Sequence, residues 1–326
     1  MMLLLVTLLF SHTKDILAWQ RPLLQAAFSS SLTHKPARSS LQGLYEECRI
    51  SDRALCLPRL TQMGRGGFDV VLNYDSLLGS AADVLAYADQ AQRDGLQVIW
   101  SLHYLWYYDA TDIRPQFSAL AATCACSDNA SFIAYIVGLV RNLPATWGYY
   151  VGDEVQSSDH AVVMKYAEMF HQLDPTHPRL YVADAQSNNP VWQDKSPFFD
   201  TAEVIGDDHY PVGRAGYSVE STAAIAKGIQ SSADRHKVQP AIVLQSFSFK
   251  EYSDPNSRAV CSPWPSCTSF PTRAQMGTML SLTLSNSRPR LVLWYSFFDI
   301  MRSDAPAQHW NDLVAVVSAS DHAIAR

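Results

Sequence analysis

Eight segments of β type alternate with helical segments from residue 41 onward, and this alternation restricts the fold more than any other feature of the sequence. Short runs of β-branched and aromatic residues predict strands at 42–46, 69–74, 97–103, 147–152, 179–184, 202–207, 241–246 and 290–296. Apolar residues spaced three or four positions apart predict helices at 80–93, 131–143, 161–173, 222–235, 272–284 and 307–318. Repeated strand–helix units predict a parallel sheet.

The number of strand–helix units separates an open sheet from a closed barrel. Eight strands fit a barrel of about 250 residues, and no G-x-G-x-x-G sequence follows the first strand to indicate a dinucleotide fold. We therefore predict an α/β protein with a single (β/α)8 TIM barrel, which occupies residues 41–326 as the catalytic domain.

The first 40 residues differ from the rest of the chain. Residues 1–10 form an apolar run too short to span a bilayer, and serine-rich stretches follow at 29–31 and 39–40. No Lys or Arg precedes the run, and no clear A-x-A cleavage site follows it. We interpret residues 1–40 as an N-terminal leader or signal-like segment outside the barrel, with a start-site artefact or a disordered leader as the alternative.

The charge balance and the aromatic content bear on the partner. The chain has 31 acidic and 25 basic residues, a net charge of −6, and no long basic run, which argues against nucleic acid as a partner. No apolar stretch is long enough for a stable membrane span. Eight Trp and 15 Tyr residues provide rings that can stack on sugars, so a carbohydrate substrate fits the composition.

Six cysteines occur as three pairs of sequence neighbours: Cys48 and Cys56, Cys124 and Cys126, Cys261 and Cys267. The last pair flanks a proline-rich loop that a disulfide can close, and the first pair can bridge likewise. Cys124 and Cys126 are too close for an easy mutual bridge, so we expect partners elsewhere or free thiols. The spacing does not resemble a zinc site, and we expect no metal and no cofactor. The even count favours a secreted or extracytoplasmic protein.

The segment from Trp147 to Glu154 carries the clearest chemical signal. It is an aromatic run that ends in two adjacent carboxylates, Asp153 and Glu154, and a predicted helix follows. In parallel α/β folds, the loops after the strands carry the chemistry. The residues predicted at the carboxyl ends of the strands form a polar and aromatic ring: Glu46, Glu47, Asn73, Tyr74, His103, Trp106, Tyr107, Asp153, Glu154, Asp184, Asp207, Asp208, His209, Tyr210, Gln245, Trp294, Tyr295 and Asp299.

On these residues the chain resembles the TIM-barrel glycoside hydrolases of clan A. Glu154 in YYVGDE matches the general acid/base at the end of the fourth strand, and Trp294 in VLWYS resembles the sugar-stacking Trp of the eighth. Asn73, His103 and Tyr210 resemble polar residues that line such sites. The resemblance implies a barrel that binds and hydrolyses a carbohydrate.

Two positions depart from the pattern of that superfamily. Asp153 stands where many members have Asn, and Gln245 stands where the resemblance places the nucleophilic Glu of the seventh strand. Structural alternatives apply to single residues as well. Trp294 can be core, His103 can orient a neighbour, and Asp208 can form a turn.

Glycoside hydrolysis normally takes two carboxyl groups, one as acid and one as nucleophile or base. A second group must therefore assist Glu154, and the candidates on other strands are Asp208, Asp184, Asp299 and Glu46. We rank Asp208 first because residues 206–211 combine two acids, an imidazole and a phenol. A separation of about 5 Å would imply direct attack, and about 6.5–9.5 Å would leave room for water.

The hypothesis is therefore a glycoside hydrolase that acts on O-glycosidic bonds of an oligo- or polysaccharide. Glu154, Asp208 and Asp153 are the predicted catalytic residues. The predicted substrate-binding residues are Asn73, Tyr74, His103, Trp106, Asp184, His209, Tyr210, Gln245, Trp294, Tyr295 and Asp299. The alternative is a catalytically silent carbohydrate-binding barrel, in which Gln245 marks a lost nucleophile. No G-x-S-x-G sequence is present to favour an ester or amide hydrolase.

Overall fold

The computed structural model of the protein describes residues 40–103, 105, 111–252, 258, 259, 261, 263, 264 and 267–324. Apart from Ser40, the predicted leader lies outside these residues, and so do Trp106 and Tyr107. The extent of the leader therefore stays a prediction.

Eight parallel strands close into a barrel in sequence order, which confirms the predicted fold class. They are β1 (Leu41–Glu46), β2 (Val70–Asn73), β3 (Gln97–Ser101), β4 (Thr146–Asp153), β5 (Arg179–Asp184), β6 (Val204–His209), β7 (Gln239–Gln245) and β8 (Leu291–Tyr295). The closing contact pairs Leu41 with Leu291 and Leu44 with Trp294. Closure places all eight carboxyl ends around one opening, here called the mouth.

Helices surround the barrel: α1 (Arg53–Arg65), α2 (Ala81–Arg93), α3 (Ser118–Ala121), α4 (Asn129–Val140), α5 (His160–Leu173), α6 (Ser221–His236), α7 (Arg273–Asn286), α8 (Phe297–Arg302) and α9 (Pro306–Ile324). Short 3₁₀ turns lie at Ser157–Asp159 and Phe249–Glu251. Helix α1 contains Pro58 and was not predicted, and neither was the six-residue α8. Tertiary packing overrides weak local preference at both places.

The apolar residues of the strands form two layers, because successive side chains of a strand point to opposite faces. Inward residues such as Val70, Leu72 and Val243 fill the barrel, and outward residues such as Val71 and Ile242 pack under the helices. This parity decides which strand-end residues reach the mouth. A displacement of one residue would reverse it.

Strand β6 begins and ends two residues later than predicted. The prediction of 202–207 left Asp208 and His209 in a turn, whereas the structure includes both in the strand. Asp208 pairs with Asp184 on β5 and with Val243 on β7, so its direction is fixed by two neighbouring strands. The turn interpretation of Asp208 is therefore wrong.

Three disulfides link residues of the loops and helices outside the barrel strands. The predicted bridges Cys48–Cys56 and Cys261–Cys267 are present, with Cα separations of 5.7 and 5.6 Å. The expectation for the remaining pair is wrong, because Cys124 is bridged to Cys126 across a Cα separation of 5.2 Å. The turn after α3 brings these Cα atoms within the usual range for a bridge.

None of the helices in the described part of the chain combines the length and apolar character needed to cross a membrane.

Candidate active site

Asp153 and Glu154 both reach the mouth, although adjacent residues of a regular strand point to opposite faces. The register between β4 and β5 shifts between Tyr150 and Gly152, and Glu154 adopts a φ of 50°. A non-glycine residue in this left-handed region is strained, and such residues cluster at functional sites. The irregular end of β4 therefore brings two carboxyl groups to one opening.

Two phenols hold Asp153. Tyr74 Oη donates a hydrogen bond to Asp153 Oδ2 at 2.9 Å, and Tyr150 donates a second. Tyr45 donates in turn to Tyr150 at 3.1 Å. Burial and the charge of Glu154 raise the pKa of Asp153 to about 7, and the two phenolic hydrogen bonds limit the rise. Asp153 therefore gains and loses its proton near neutral pH.

Asp208 meets Glu154 from the end of β6. The side chain of Asp208 is buried, and its carboxyl group forms a hydrogen bond with that of Glu154. Such a bond requires one proton between two groups that only accept when ionised. Burial and the charges of Glu154, Asp184 and Asp153 raise the pKa of Asp208 well above its ordinary value. The buried Asp208 therefore carries the shared proton, and the exposed Glu154 presents the pair to the mouth.

Gln245 points inward at the end of β7 but is fully buried as a structural clamp. Its amide group donates to Val212 O at 2.9 Å and to Phe247 O at 3.2 Å, and its Oε1 accepts from Val212 N at 2.8 Å. Both functional ends of the side chain are therefore occupied by the backbone of the loops after β6 and β7. An amide is required here, because a carboxylate could not donate to two carbonyl oxygens.

Three predicted site residues, together with Glu46 and Asp207, point away from the mouth because of strand parity: Asn73, His209 and Trp294. Asn73 Nδ2 donates to Cys48 O at 2.8 Å, and Asn73 Oδ1 accepts from Cys48 N at 3.0 Å. His209 contacts Gln186 and Ser221 at 3.2 and 2.9 Å. Burial lowers the pKa of the His209 ring to about 4, so it is neutral at pH 7. These groups hold loops and do not face the opening.

The acids of this outward set are also structural. Asp207 accepts from Val191 N and Trp192 N at 2.8 and 2.7 Å, which anchors the loop after β5. Burial raises its pKa to about 8. Glu46 pairs with Arg59 at 2.9 Å and is excluded as the second carboxylate at the mouth.

The assignment of Trp294 as a stacking platform is wrong. Its ring is fully buried in the layer between barrel and helices, and Trp294 Nε1 donates to Gln42 Oε1 at 3.1 Å. The next residue, Tyr295, has the inward parity and contacts the rings of Tyr45 and Tyr210 at centroid distances of 5.2 and 5.7 Å. Tyr295 therefore supplies the eighth strand's aromatic ring at the mouth.

The remaining predicted site residues that the structure describes lie at or beside the mouth. Asp184 and Tyr210 are partly exposed on inward positions. His103 packs on Tyr74 at a centroid distance of 5.0 Å, and burial lowers its pKa to about 3. Asp299 accepts from Tyr252 Oη at 2.8 Å, and burial raises its pKa to about 6. Asp299 therefore fixes the phenol of Tyr252 beside Tyr295.

Sequence reasoning missed Tyr45, Tyr150 and Tyr252. Tyr45 and Tyr150 form the chain of hydroxyl groups that leads to Asp153, and Tyr252 borders Tyr295. The inward parity of Tyr45 and Tyr150 was available as a period-two signal, once strand registers were fixed. Tyr252 lies on a loop, where no periodic signal exists.

Within the residues that the structure describes, no group of three or more His, Cys, Asp or Glu side chains is placed to hold a metal ion.

Comparison with protein-family models and with curated proteins gives no match. Solved structures do resemble the fold. A β-galacturonidase of glycoside hydrolase family 2 from Eisenbergiella tayi has a TM-score of 0.56 at 12% identity over 86% of this chain. A β-galactosidase from the haloarchaeon Halorubrum lacusprofundi has a TM-score of 0.57 at 9% identity over 85%. The chain has the barrel fold of glycoside hydrolases.

A family 5 glycoside hydrolase from Bacteroides vulgatus is similar as well, with a TM-score of 0.53 at 10% identity over 84% of this chain and 64% of that one. The chain spans 51% of the length of the β-galacturonidase and 57% of the β-galactosidase. At these identities the likeness concerns the fold alone. The site must be argued from its own residues.

Proposed function

We propose that this protein is a glycoside hydrolase in which Glu154 and Asp208 act together as the general acid. The observation that carries the proposal is the placement of the buried Asp208 carboxyl group against that of Glu154 at the mouth, within reach of a shared proton. Burial keeps a proton on Asp208, and Glu154 gives that proton a path to the opening. The glycosidase fold of similar structures supports the same reading.

The separation of the two groups determines what they can do. Two carboxyl groups that share a proton lie closer together than the carboxyl pairs of glycosidases. Those pairs are about 5 Å apart for direct attack and roughly 6.5–9.5 Å apart when a water must fit between them. Glu154 and Asp208 therefore form one proton-holding unit and do not act from opposite sides of a sugar ring. As the glycosidic C–O bond breaks, the unit gives its proton to the leaving oxygen.

Asp153 stabilises the positive charge that develops on the sugar ring. When ionised, its carboxylate lies beside the pair and is held by Tyr74 and Tyr150, so it can stabilise an oxocarbenium-like state without rearranging. Water then attacks the anomeric carbon and loses a proton to the Glu154–Asp208 pair. The pair is thereby returned to its protonated state. No step requires a carboxylate at Gln245.

A catalytically silent carbohydrate-binding barrel is the second candidate, and the clamped amide of Gln245 favours it. The mouth would then bind a sugar between Tyr74, Tyr210 and Tyr295 without cleaving it. The difference between the two candidates is turnover.

The test compares Glu154→Gln and Asp208→Asn with Asp207→Asn, a matched control on the next residue whose side chain points outward. With neutral polysaccharides, removal of the acid is expected to lower kcat by about 100-fold to 10,000-fold in the first two variants. The loss for Glu154→Gln should shrink on aryl glycosides with good leaving groups. Asp207→Asn loses one of two backbone acceptors and should be less stable, but below its unfolding temperature it should keep the wild-type rate.

Two results contradict the proposal. Equal rates of Glu154→Gln and wild type on a polysaccharide would remove the acid role. Binding of oligosaccharides by wild type without any turnover would select the silent barrel.

We also propose that the protein is secreted and that residues 1–40 form its leader. The three disulfides of the barrel domain fit an oxidising compartment. Amino-terminal sequencing of protein recovered from the medium should find the apolar run 1–10 removed, and retention of reduced protein inside the cell would contradict the assignment.

A further inference from the structure

A second cavity opens beside the mouth, between the loops that follow β1, β2 and β3. Its volume is about 360 Å³, within the range of roughly 300–1,000 Å³ that is common for small-molecule sites. This cavity, here called the side groove, is lined by residues that include Arg49, Tyr74, Asp75, Leu78, Gln116 and Phe117. None of them belongs to the Glu154–Asp208 pair.

Tyr74 joins the side groove to the mouth. Its phenol borders the groove and donates the 2.9 Å hydrogen bond to Asp153. One ring therefore separates the carboxyl cluster from the side groove. A chain of linked sugar rings can therefore extend from the mouth into the side groove by crossing the side chain of Tyr74.

Hydrogen bonds, a disulfide and an aromatic contact hold the walls of the side groove in place. Asn73 accepts hydrogen bonds from Cys48 N and Asp75 N, each at 3.0 Å, and so ties the β1 loop to the β2 loop. The Cys48–Cys56 disulfide anchors the same wall to α1. On the opposite wall, the ring of Phe117 packs on Phe132 with centroids 6.0 Å apart. A preformed site loses little binding energy to ordering.

The chemistry of the side groove matches a pyranose ring. Leu78 and the ring of Phe117 offer apolar surface to C–H groups, and Gln116, Asp75 and Arg49 offer acceptors and donors to hydroxyl groups. Pockets with this mixture of apolar surface and few polar groups bind small molecules with specificity.

Charge selects against an acidic sugar. Burial and the nearby charge of Glu47 raise the pKa of Asp75, whereas Arg49 lowers it only in part. The charges at the side groove are the Arg49 guanidinium against the carboxylates of Asp75 and the nearby Glu47, so acidic groups outnumber the base. A carboxylate on the ligand would meet repulsion at Asp75.

We propose that the side groove is a second sugar subsite, which takes a neutral pyranose unit linked to the one at the Glu154–Asp208 pair. This inference rests on the proposed function and extends it from one sugar to an oligosaccharide. The substrate class is a neutral polysaccharide or oligosaccharide.

Binding is measured by calorimetry in the Glu154→Gln background, so that no ligand is cleaved. The probes are cello-oligosaccharides, laminari-oligosaccharides and oligogalacturonides of two to six units. The Gln116→Ala change removes an amide from the rim, and Gln92→Ala on the exposed face of α2 is the matched control.

One neutral series should gain affinity at the length that first reaches the side groove. Gln116→Ala should reduce that gain by about 2- to 10-fold, the value of one net hydrogen bond, and leave shorter ligands unchanged. Gln92→Ala should change neither. Oligogalacturonides should show no such gain.

Three results would overturn the inference: no binding by either neutral series, the same gain in Gln116→Ala as in its parent, or a gain confined to oligogalacturonides. The proposed function fails separately. If wild type turns over no glycoside but the length-dependent gain is present, the subsite stands and the enzyme assignment falls. If turnover occurs without the gain, the reverse holds.

Discussion

Replacing Glu154 by glycine should make the protein more stable and abolish its activity. Glu154 has a φ of 50°, which is uncommon for a residue with a β-carbon, and its charge lies beside Asp153 and Asp208. Relief of the left-handed conformation is worth about 1–2 kcal/mol. The extra freedom of glycine in the unfolded chain costs about 0.4–1 kcal/mol. The backbone contribution is therefore a net gain of about 0–1.6 kcal/mol.

The charge adds a second contribution. Because Glu154 is exposed, solvent screens its repulsion of the neighbouring acids, and about 1 kcal/mol is the most that removing it can return. Loss of the hydrogen bond to Asp208 takes back about 0.5–1.5 kcal/mol, so Glu154→Gly should gain at most about 2 kcal/mol in free energy of unfolding. Each kcal/mol corresponds to about 2–4 °C in Tm for a domain of this size.

Two control variants separate the contributions in thermal and denaturant unfolding at pH 7. Lys237→Gly relieves the same strain, because exposed Lys237 at the end of α6 has a φ of 60°. Glu154→Gln removes only the charge. The gain of Glu154→Gly should fall short of the sum of the two by the hydrogen bond to Asp208, which Gln can keep and Gly cannot, while activity is lost only when Glu154 changes. A loss of stability in Glu154→Gly together with a gain in Lys237→Gly would refute the reasoning, since Glu154 would then be held by favourable contacts rather than strained for function.

Three further predictions concern stability and covalent structure. Asp207 has a folded pKa of about 8 against an ordinary value of 3.8, so its stabilising contribution is complete below about pH 4 and disappears as the pH rises to about 8. The free energy of unfolding should fall across that window by up to about 1.4 kcal/mol per pH unit, and Asp207→Asn should flatten the slope; an unchanged slope would contradict the raised pKa. Gln245→Glu should cost about 2–4 kcal/mol and not create a nucleophile, because two carbonyl oxygens lose their donor; a more active, equally stable variant would disprove the clamp. Mass spectrometry of non-reduced peptides should find Cys261 linked to Cys267, and free thiols at both would contradict the bridge.

Local patterns in the sequence were sufficient to predict the barrel. Most strands have their own run of β-branched or aromatic residues, and six of the helices show helical spacing, so the number and order of the strands are readable without tertiary information. The same holds for the local bridges Cys48–Cys56 and Cys261–Cys267, whose partners are eight and six residues apart. Glu154 was identified because the aromatic run of its strand ends in two adjacent carboxylates, Asp153 and Glu154.

Only the tertiary structure decided which strand-end residues face the mouth. Side chains alternate with a period of two, so an uncertain strand boundary leaves the facing of Trp294 and Tyr295 undecided until pairing with β1 and β7 fixes the register. The displaced end of β6 put Asp208 inside, and the register shift in β4 with the left-handed Glu154 set both acids toward one opening. The contact between Glu154 and Asp208 joins residues 54 positions apart on strands that are not neighbours, and it exists because the sheet closes into a barrel. Sequence supplied the chemical groups, and closure of the barrel determined which of them meet.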